Sequence, residues 1–172
     1  MRFLLLAGVA SLALAGTAYA GNVHINTQIG FGNNAPYVQI GSNYDKNTQV
    51  GFHNTNLTGQ IGVNGATTTQ VGAGNFSVTG QAGFLQSSHT TQIGAANGSV
   101  TLQGGAFQSS NTTQVGLFNH SSTVQLGVDN HSNTTQVGVG NQSSTTQLGA
   151  GNYSSTTHVG AGNSSNGVQI GF

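Results

Sequence analysis

The chain has 172 residues, enough for a single domain, and only 2% of them are charged, with a net charge of zero. This composition argues against nucleic acids and other polyelectrolytes as partners, because they are bound through clustered charges. The chain also has no cysteine, so disulfides cannot stabilise it, and its stability must come from another source.

The first twenty residues have the pattern of a secretory signal peptide. Arg2 gives a basic start, residues 3–14 form an apolar run too short to span a bilayer, and residues 18–20 (Ala-Tyr-Ala) form a small-x-small cleavage site. We therefore predict a signal peptide over residues 1–20 and a secreted domain over residues 21–172. An N-terminal membrane anchor is the alternative interpretation of the apolar run.

One short motif, glutamine-aliphatic-glycine, recurs at intervals of 10 or 11 residues from residue 28 onward. Histidine replaces glutamine in one of the 14 copies, and Ala82 and Gly104 replace the aliphatic residue in two others. The first position of the motif is held by Gln28, Gln39, Gln49, Gln60, Gln70, Gln81, Gln92, Gln103, Gln114, Gln125, Gln136, Gln147, His158 and Gln169. The third position is held by Gly30, Gly41, Gly51, Gly62, Gly72, Gly83, Gly94, Gly105, Gly116, Gly127, Gly138, Gly149, Gly160 and Gly171.

The copies differ in length only between the glycine and the asparagine that follows it, where the segments 41–43 and 62–64 lack one residue. From that asparagine, or from Gln86 or Gln108 in its place, the next glutamine or histidine is always six residues away. Deletions are tolerated in turns rather than in strands of fixed register. We therefore predict a turn at Gly-x-(x)-Asn, in which glycine and asparagine adopt positive φ, followed by a strand. The repeat asparagines that we single out are Asn33, Asn54, Asn75, Asn97, Asn119, Asn130, Asn141, Asn152 and Asn163.

The short turns occur in every second copy near the start of the array, which indicates that two copies form one rung. The strand segments are rich in β-branched residues, as in residues 112–115 (Thr-Thr-Gln-Val), and have no helical periodicity. The sequence thus predicts an all-β fold, a β-solenoid of about seven strand-turn-strand rungs stacked at roughly 4.8 Å in a cross-β arrangement. A chain of antiparallel hairpins is the alternative. We prefer the solenoid, because identical residues at a fixed spacing stabilise the fold most when each stacks on its own copy.

Asparagine, serine, threonine and glutamine recur at alternate positions of the strands, as in Asn119, Ser121, Thr123 and Gln125, so they share one face. Stacked in register, their amides can hydrogen-bond along the array, and their uniformity is typical of an interior. The aliphatic residues of the motif share the other face, and burying each should contribute about 1.5–3 kcal/mol. The residues alone leave open which face is inside.

The repeat resembles that of the curlin family, Ser-x5-Gln-x-Gly-x2-Asn-x-Ala-x3-Gln. The match is continuous from the first glutamine onward in Gln28, Gly30, Asn33, Ala35 and Gln39. Most later copies keep Gln-x-Gly-x2-Asn and have serine at the alanine position. The resemblance implies that the glutamines lie inside, and on this basis we predict a polar interior.

The resemblance also implies a function. A curlin-like subunit is secreted through the outer membrane of a bacterium and polymerises end to end into extracellular amyloid fibres for surface adhesion and biofilm matrix. The expected partners are further copies of the same chain, a nucleating or major curlin-like subunit, and a curli-type secretion machinery. The repeats begin almost directly after residue 20, so we expect a curlin-like protein rather than the major subunit itself.

No catalytic set can be assembled from the sequence. Asp45 and Asp129 are the only side-chain carboxylates, cysteine is absent, and serines occur as repeat elements. We therefore expect neither an enzyme nor a cofactor or small-molecule substrate. His120 and His131 occupy equivalent places in neighbouring copies, where they form either a weak surface metal site or, as we prefer, ordinary outward residues on opposite sheets.

Two other functions fit a secreted β-repeat protein: a monomeric adhesin and an ice-binding solenoid. An ice-binding face requires a regular Thr-x-Thr array on a flat surface. Here threonines occupy adjacent positions, as in Thr90 and Thr91, so they point to opposite faces, which argues against ice binding.

Overall fold

The computed structural model describes residues 21–172, so the predicted signal peptide and its cleavage lie outside the described residues. The described part contains twelve β-strands and no helix, and therefore no helix that could cross a membrane. The strands are β1 (Val23–Phe31), β2 (Tyr37–Gly41), β3 (Tyr44–Phe52), β4 (Thr55–Ala73), β5 (Phe76–Ala95), β6 (Gly98–Ala106), β7 (Ser109–Leu117), β8 (His120–Val128), β9 (His131–Val139), β10 (Gln142–Ala150), β11 (Tyr153–Ala161) and β12 (Ser164–Ile170).

The strands form two parallel stacks that are joined at their corners. Sheet A consists of β1, β3, the second halves of β4 and β5, β7, β9 and β11. Sheet B consists of β2, the first halves of β4 and β5, β6, β8, β10 and β12. One strand of sheet A and the following strand of sheet B make one rung, from rung 1 (β1 and β2) to rung 7 (β11 and β12). This arrangement confirms the predicted β-solenoid of about seven rungs.

Successive rungs are in register, so that like residues stack on like. Gln103 pairs with Gln125 and Gln125 pairs with Gln147 across sheet B. The strand pairings of the described residues are all parallel, which excludes the antiparallel hairpin alternative. Parallel stacking in register is the geometry in which identical amide side chains can bond to one another.

The repeat glycines lie at the corners of the rungs, and two properties require glycine there. Gly94, for example, has a φ of +122°, a region that other residues rarely adopt. A Cβ placed on Gly94 would also collide with the carbonyl oxygen of Gly116 in the next rung. The repeat glycines from Gly30 to Gly160 share the positive φ, whereas Gly171 does not.

The prediction that the turn asparagine adopts positive φ is wrong. The second left-handed position of each longer turn is the residue just before the asparagine, or before the glutamine that replaces it, and this residue is not always glycine: Phe107, before Gln108, has a φ of 57° and Phe118 a φ of 58°. The short turns 41–43 and 62–64 lack this position. The asparagine that follows this position is an inward-facing residue, and its amide points into the interior.

The polar face lies inside the solenoid, as the curlin resemblance implies. Asn119 and Gln125 are fully buried, and Ala66 is the one buried hydrophobic residue of the described chain. The aliphatic residues of the motif lie outside, with Ile61 55% and Leu126 48% exposed. The structure therefore settles the question that the residues alone left open. The interior can be polar because hydrogen bonds within the stack replace those to water.

Candidate functional site: amide ladders and open sheet edges

Each interior glutamine is part of a hydrogen-bonded ladder that runs along the solenoid axis. The Nε2 of Gln125 donates to the Oε1 of Gln147 at 2.7 Å, and its own Oε1 accepts from the Nε2 of Gln103 at 2.8 Å. The second N–H of Gln125 crosses the core to the backbone carbonyl of Ser109 at 3.0 Å. One side chain thus satisfies two donors and one acceptor and connects three rungs and both sheets.

The predicted glutamines are distributed over two such ladders, one in each sheet. The sheet A ladder contains Gln28, Gln49, Gln70, Gln92, Gln114 and Gln136. The sheet B ladder contains Gln39, Gln60, Gln81, Gln103, Gln125, Gln147 and Gln169.

The turn asparagines form ladders that donate in the opposite direction. The Nδ2 and the backbone N–H of Asn119 both donate to the Oδ1 of Asn97 in the preceding rung, each at 3.1 Å. The same Nδ2 lies 3.0 Å from the carbonyl oxygen of Gly138 in the following rung. In sheet B this ladder contains Asn33, Asn54, Asn75, Asn97, Asn119, Asn141 and Asn163. The glutamine ladders therefore donate toward the following rung and the asparagine ladders toward the preceding one.

The corresponding ladder in sheet A is interrupted, and it contains three asparagines beyond those that we singled out from the sequence. Asn130 and Asn152 continue it at one end, and Asn22, Asn43 and Asn64, which we did not single out, continue it at the other. Between the two parts stand Gln86 and Gln108, whose Oε1 atoms have no partner in the described chain. All of them lie six residues before the next glutamine or histidine, and this constant distance is the signal that identifies them.

The interior serines and threonines behave differently from the amides. The Oγ of Ser121 and the Oγ1 of Thr123 are buried without a hydrogen-bond partner among the described residues. Rungs in register are about 4.8 Å apart, so a short hydroxyl side chain does not reach its copy in the next rung. The longer amides can tilt and span the distance. The hydroxyls fill space in the interior, whereas the amides connect the rungs.

His158 ends the glutamine ladder of sheet A. It pairs with Gln136 in register and is 8% exposed, but its Nδ1 has no partner in the described chain. The Nε2 of Gln136, which in other rungs would donate to the next glutamine, donates only to the carbonyl oxygen of His120, at 3.0 Å. The substitution of histidine for glutamine therefore removes one contact between the last two rungs.

A hydrogen-bonded pair, His24 and Asp45, stands in rungs 1 and 2 at the interior level of sheet A that serine occupies in the later rungs. The Nδ1 of His24 lies 2.9 Å from the Oδ2 of Asp45, and the Oγ1 of Thr58 lies 3.4 Å from the Oδ1. Burial raises the pKa of the Asp45 carboxyl above its ordinary value of 3.8, while His24 and Thr58 act in the opposite direction.

The two histidines considered as a surface metal site lie on different sheets. His120 belongs to sheet B and His131 to sheet A, and both are exposed. The neighbour of His131 is Asp129, with Nδ1 and Oδ1 3.9 Å apart. Within residues 21–172, no group of three or more potential metal ligands is present.

The two ends of the described array carry unpaired strand edges. Strands β1 and β2 at one end, and β11 and β12 at the other, pair with the stack on one side only. Pro36 does not block its edge: its carbonyl accepts from the N–H of Thr58 at 3.1 Å, and the N–H and C=O of one residue face the same side of a strand. The N–H that proline lacks therefore faces rung 2 and not the open edge.

No family model, curated protein or solved structure matches this chain. The fold defines the class: a two-sheet β-solenoid with a polar, amide-laddered interior and an aliphatic exterior. The resemblance to curlin therefore rests on the residues of the repeat alone.

Proposed function

We propose that this chain is a secreted, curli-like subunit that assembles into extracellular amyloid fibres for surface adhesion and biofilm matrix. The observation that carries the proposal is that both ends of the array have open strand edges in the same parallel register. A strand edge with unpaired N–H and C=O groups is a template for another chain. Contact between the two different ends is heterologous and does not close, so it leads to a filament.

The side chains at the edges support such stacking. The amide ladders use one donor and one acceptor per rung, so the last glutamine of sheet B, Gln169, can donate to a further glutamine above it in the same way that Gln147 donates to it at 2.7 Å. Charges stacked in register would repel one another, and only 2% of the residues are charged. Neither end therefore opposes the addition of a like rung.

Secretion, surface location and partners belong to the same proposal. The support for them is the signal-peptide pattern of residues 1–20 and the resemblance of the repeat to curlin. The partners are further copies of the chain, with a nucleating or major curlin-like subunit and a curli-type secretion machinery. No nucleic acid or small-molecule substrate enters the proposal.

The direct test is incubation of the purified protein at neutral pH, followed by thioflavin fluorescence and electron microscopy. We expect fibres, and shorter lag times when preformed fibres are added as seeds. If the protein remains monomeric on prolonged incubation, self-assembly is excluded, and a monomeric adhesin becomes the better account.

An ice-binding surface is a second candidate, favoured by one observation. The outer face of sheet A carries threonine at the position before the glutamine in all seven rungs, an array that core packing does not require. Its members are Thr27, Thr48, Thr69, Thr91, Thr113, Thr135 and Thr157. The next outward column of sheet A, at the position after the glutamine, contains aliphatic residues, so the face has one column of threonine and not two. Thermal hysteresis of the monomer tests this candidate, and its absence excludes it.

A further inference from the structure

The two ends of the solenoid differ in the size of the side chains in one pair of facing interior columns. In sheet B the inner rungs have threonine at this level, whereas rung 1 has Tyr37 and rung 7 has Gly167. In sheet A the facing column begins with His24 and ends with Ser154. The sheet B column reads Tyr37, Thr58, Thr79, Thr101, Thr123, Thr145 and Gly167. The largest pair thus lies at one end and the smallest pair at the other.

The tyrosine ring covers the open end of the core at rung 1. It stacks on the imidazole of His24, with ring centroids 3.6 Å apart and planes inclined by 17°. On the inner side, His24 binds the carboxylate of Asp45 in rung 2. The side chain of His24 is 13% exposed and Tyr37 is 49% exposed, so the phenol ring lies on the outer side of the imidazole. It therefore extends toward the space that a further rung would occupy.

The opposite end has a recess at the same place. Gly167 lies in β12, and no atom lies within 4 Å of the position that its Cβ would take. The facing residue, Ser154, is small, and its Oγ lies 3.5 Å from the Oγ1 of Thr145 in rung 6. A threonine at position 167, as in the inner rungs, would fill this space.

We propose that Tyr37 and Gly167 form a knob and a recess between two copies of the chain stacked end to end, and that this pair selects the register and direction of stacking. Continuing the register of both sheets beyond rung 7 places Tyr37 of an incoming copy over Gly167, and its His24 over Ser154. The inference rests on the proposed self-assembly. It adds that the rung 1 end of one copy fits the rung 7 end of the next. The inner rungs have threonine at this level, so they have neither the tyrosine knob nor the glycine recess.

The test compares full-length variants by the concentration of soluble protein that remains in equilibrium with seeded fibres. Gly167→Thr should raise this concentration about tenfold or more, since overpacking a contact is costly. The double variant Tyr37→Thr with Gly167→Thr has threonine at both ends, as the inner rungs do. Its soluble concentration should be close to the wild-type value. Asn166→Thr, an outward change on the same strand, is the matched control and should leave the wild-type concentration unchanged.

Folding of the variants is checked separately by thermal unfolding of the monomer. Gly167→Thr should unfold at the wild-type temperature or higher, because threonine favours strands more than glycine does. The inference would be overturned if Gly167→Thr left the soluble concentration unchanged, or if the double variant had a soluble concentration as high as that of Gly167→Thr. The proposed assembly would stand in either case. If Tyr37→Thr alone has a lower soluble concentration than the wild type, the tyrosine hinders stacking as a cap. This result would also overturn the knob-and-recess inference. Wild-type protein that forms no fibres at all would remove both proposals.

Discussion

Replacement of Gln125 by leucine should destabilise the folded chain far more than replacement of Val115 by threonine. Both residues belong to rung 5, but Gln125 is fully buried, whereas Val115 is half-buried on the outer face of sheet A. Leucine has about the size of glutamine and is more hydrophobic, so a conventional apolar core would favour it. In the amide-laddered interior it removes bonds that nothing else can supply.

The magnitude follows from the bonds of Gln125. Without its side chain, the Nε2 of Gln103 keeps only its bond to the Ser87 carbonyl, at 3.1 Å, and the Oε1 of Gln147 loses its donor. Each buried polar group left without a partner costs about 1–3 kcal/mol, so the two together cost about 2–6 kcal/mol. A substitution at a partly exposed position such as Val115 usually changes stability by about 0.5 kcal/mol or less.

Guanidinium unfolding of freshly prepared monomer, followed by circular dichroism, measures the two losses. We expect the midpoint of Gln125→Leu to fall clearly below that of the wild type, and the midpoint of Val115→Thr to stay close to it. A Gln125→Leu protein as stable as the wild type, together with a strongly destabilised Val115→Thr protein, would mean that the aliphatic stripe carries the fold. The amide-ladder account of stability would then be wrong.

Three further predictions can be checked by thermal unfolding. Ser121→Ala should be neutral or slightly stabilising, because the hydroxyl is buried without a partner, whereas Asn119→Ala should lower the unfolding temperature; equal losses would contradict the distinction between hydroxyls and amides. His158→Gln should extend the sheet A ladder by one bond and stabilise by about 0.5–1.5 kcal/mol, and a decrease would show that the histidine is itself a favourable contact. Burial holds the pKa of Asp45 above 3.8, so the stability that its neutral form provides is complete below that pH and is lost as the pH rises through the raised pKa. Asp45→Asn should therefore raise the unfolding temperature at neutral pH but not near pH 3, while exposed Asp129→Asn should change neither; a gain for Asp45→Asn at both pH values would contradict this cause.

The architecture could be predicted from the sequence because the repeat carries strong and redundant information. The two short turns at 41–43 and 62–64 indicated two copies per rung, and the constant spacing from asparagine to glutamine located the strands. Like-on-like stacking then followed from the identity of the copies. The interior assignment needed the curlin resemblance, since the gain from burying aliphatic residues competes with the gain from amide ladders, and the sequence alone does not rank them.

The details that were missed depend on contacts between rungs or across the core. The turn asparagine could not be distinguished from a residue with positive φ, because asparagine suits both a left-handed turn and an inward amide. The pairing of His24 with Asp45 joins residues two copies apart, and only the register brings them together. The stacking of Tyr37 on His24 further requires the two sheets to face each other at a known offset, which repeat spacing does not provide.

Fibre diffraction from the assembled protein tests the central claim most directly, that rungs of this solenoid continue from one copy to the next. The account predicts a meridional reflection at about 4.7–4.8 Å, along the fibre axis, because the strands lie perpendicular to the direction of stacking in every copy. Filaments without that reflection, or with it oriented across the fibre axis, would contradict the claim that the copies stack end to end through their open sheet edges.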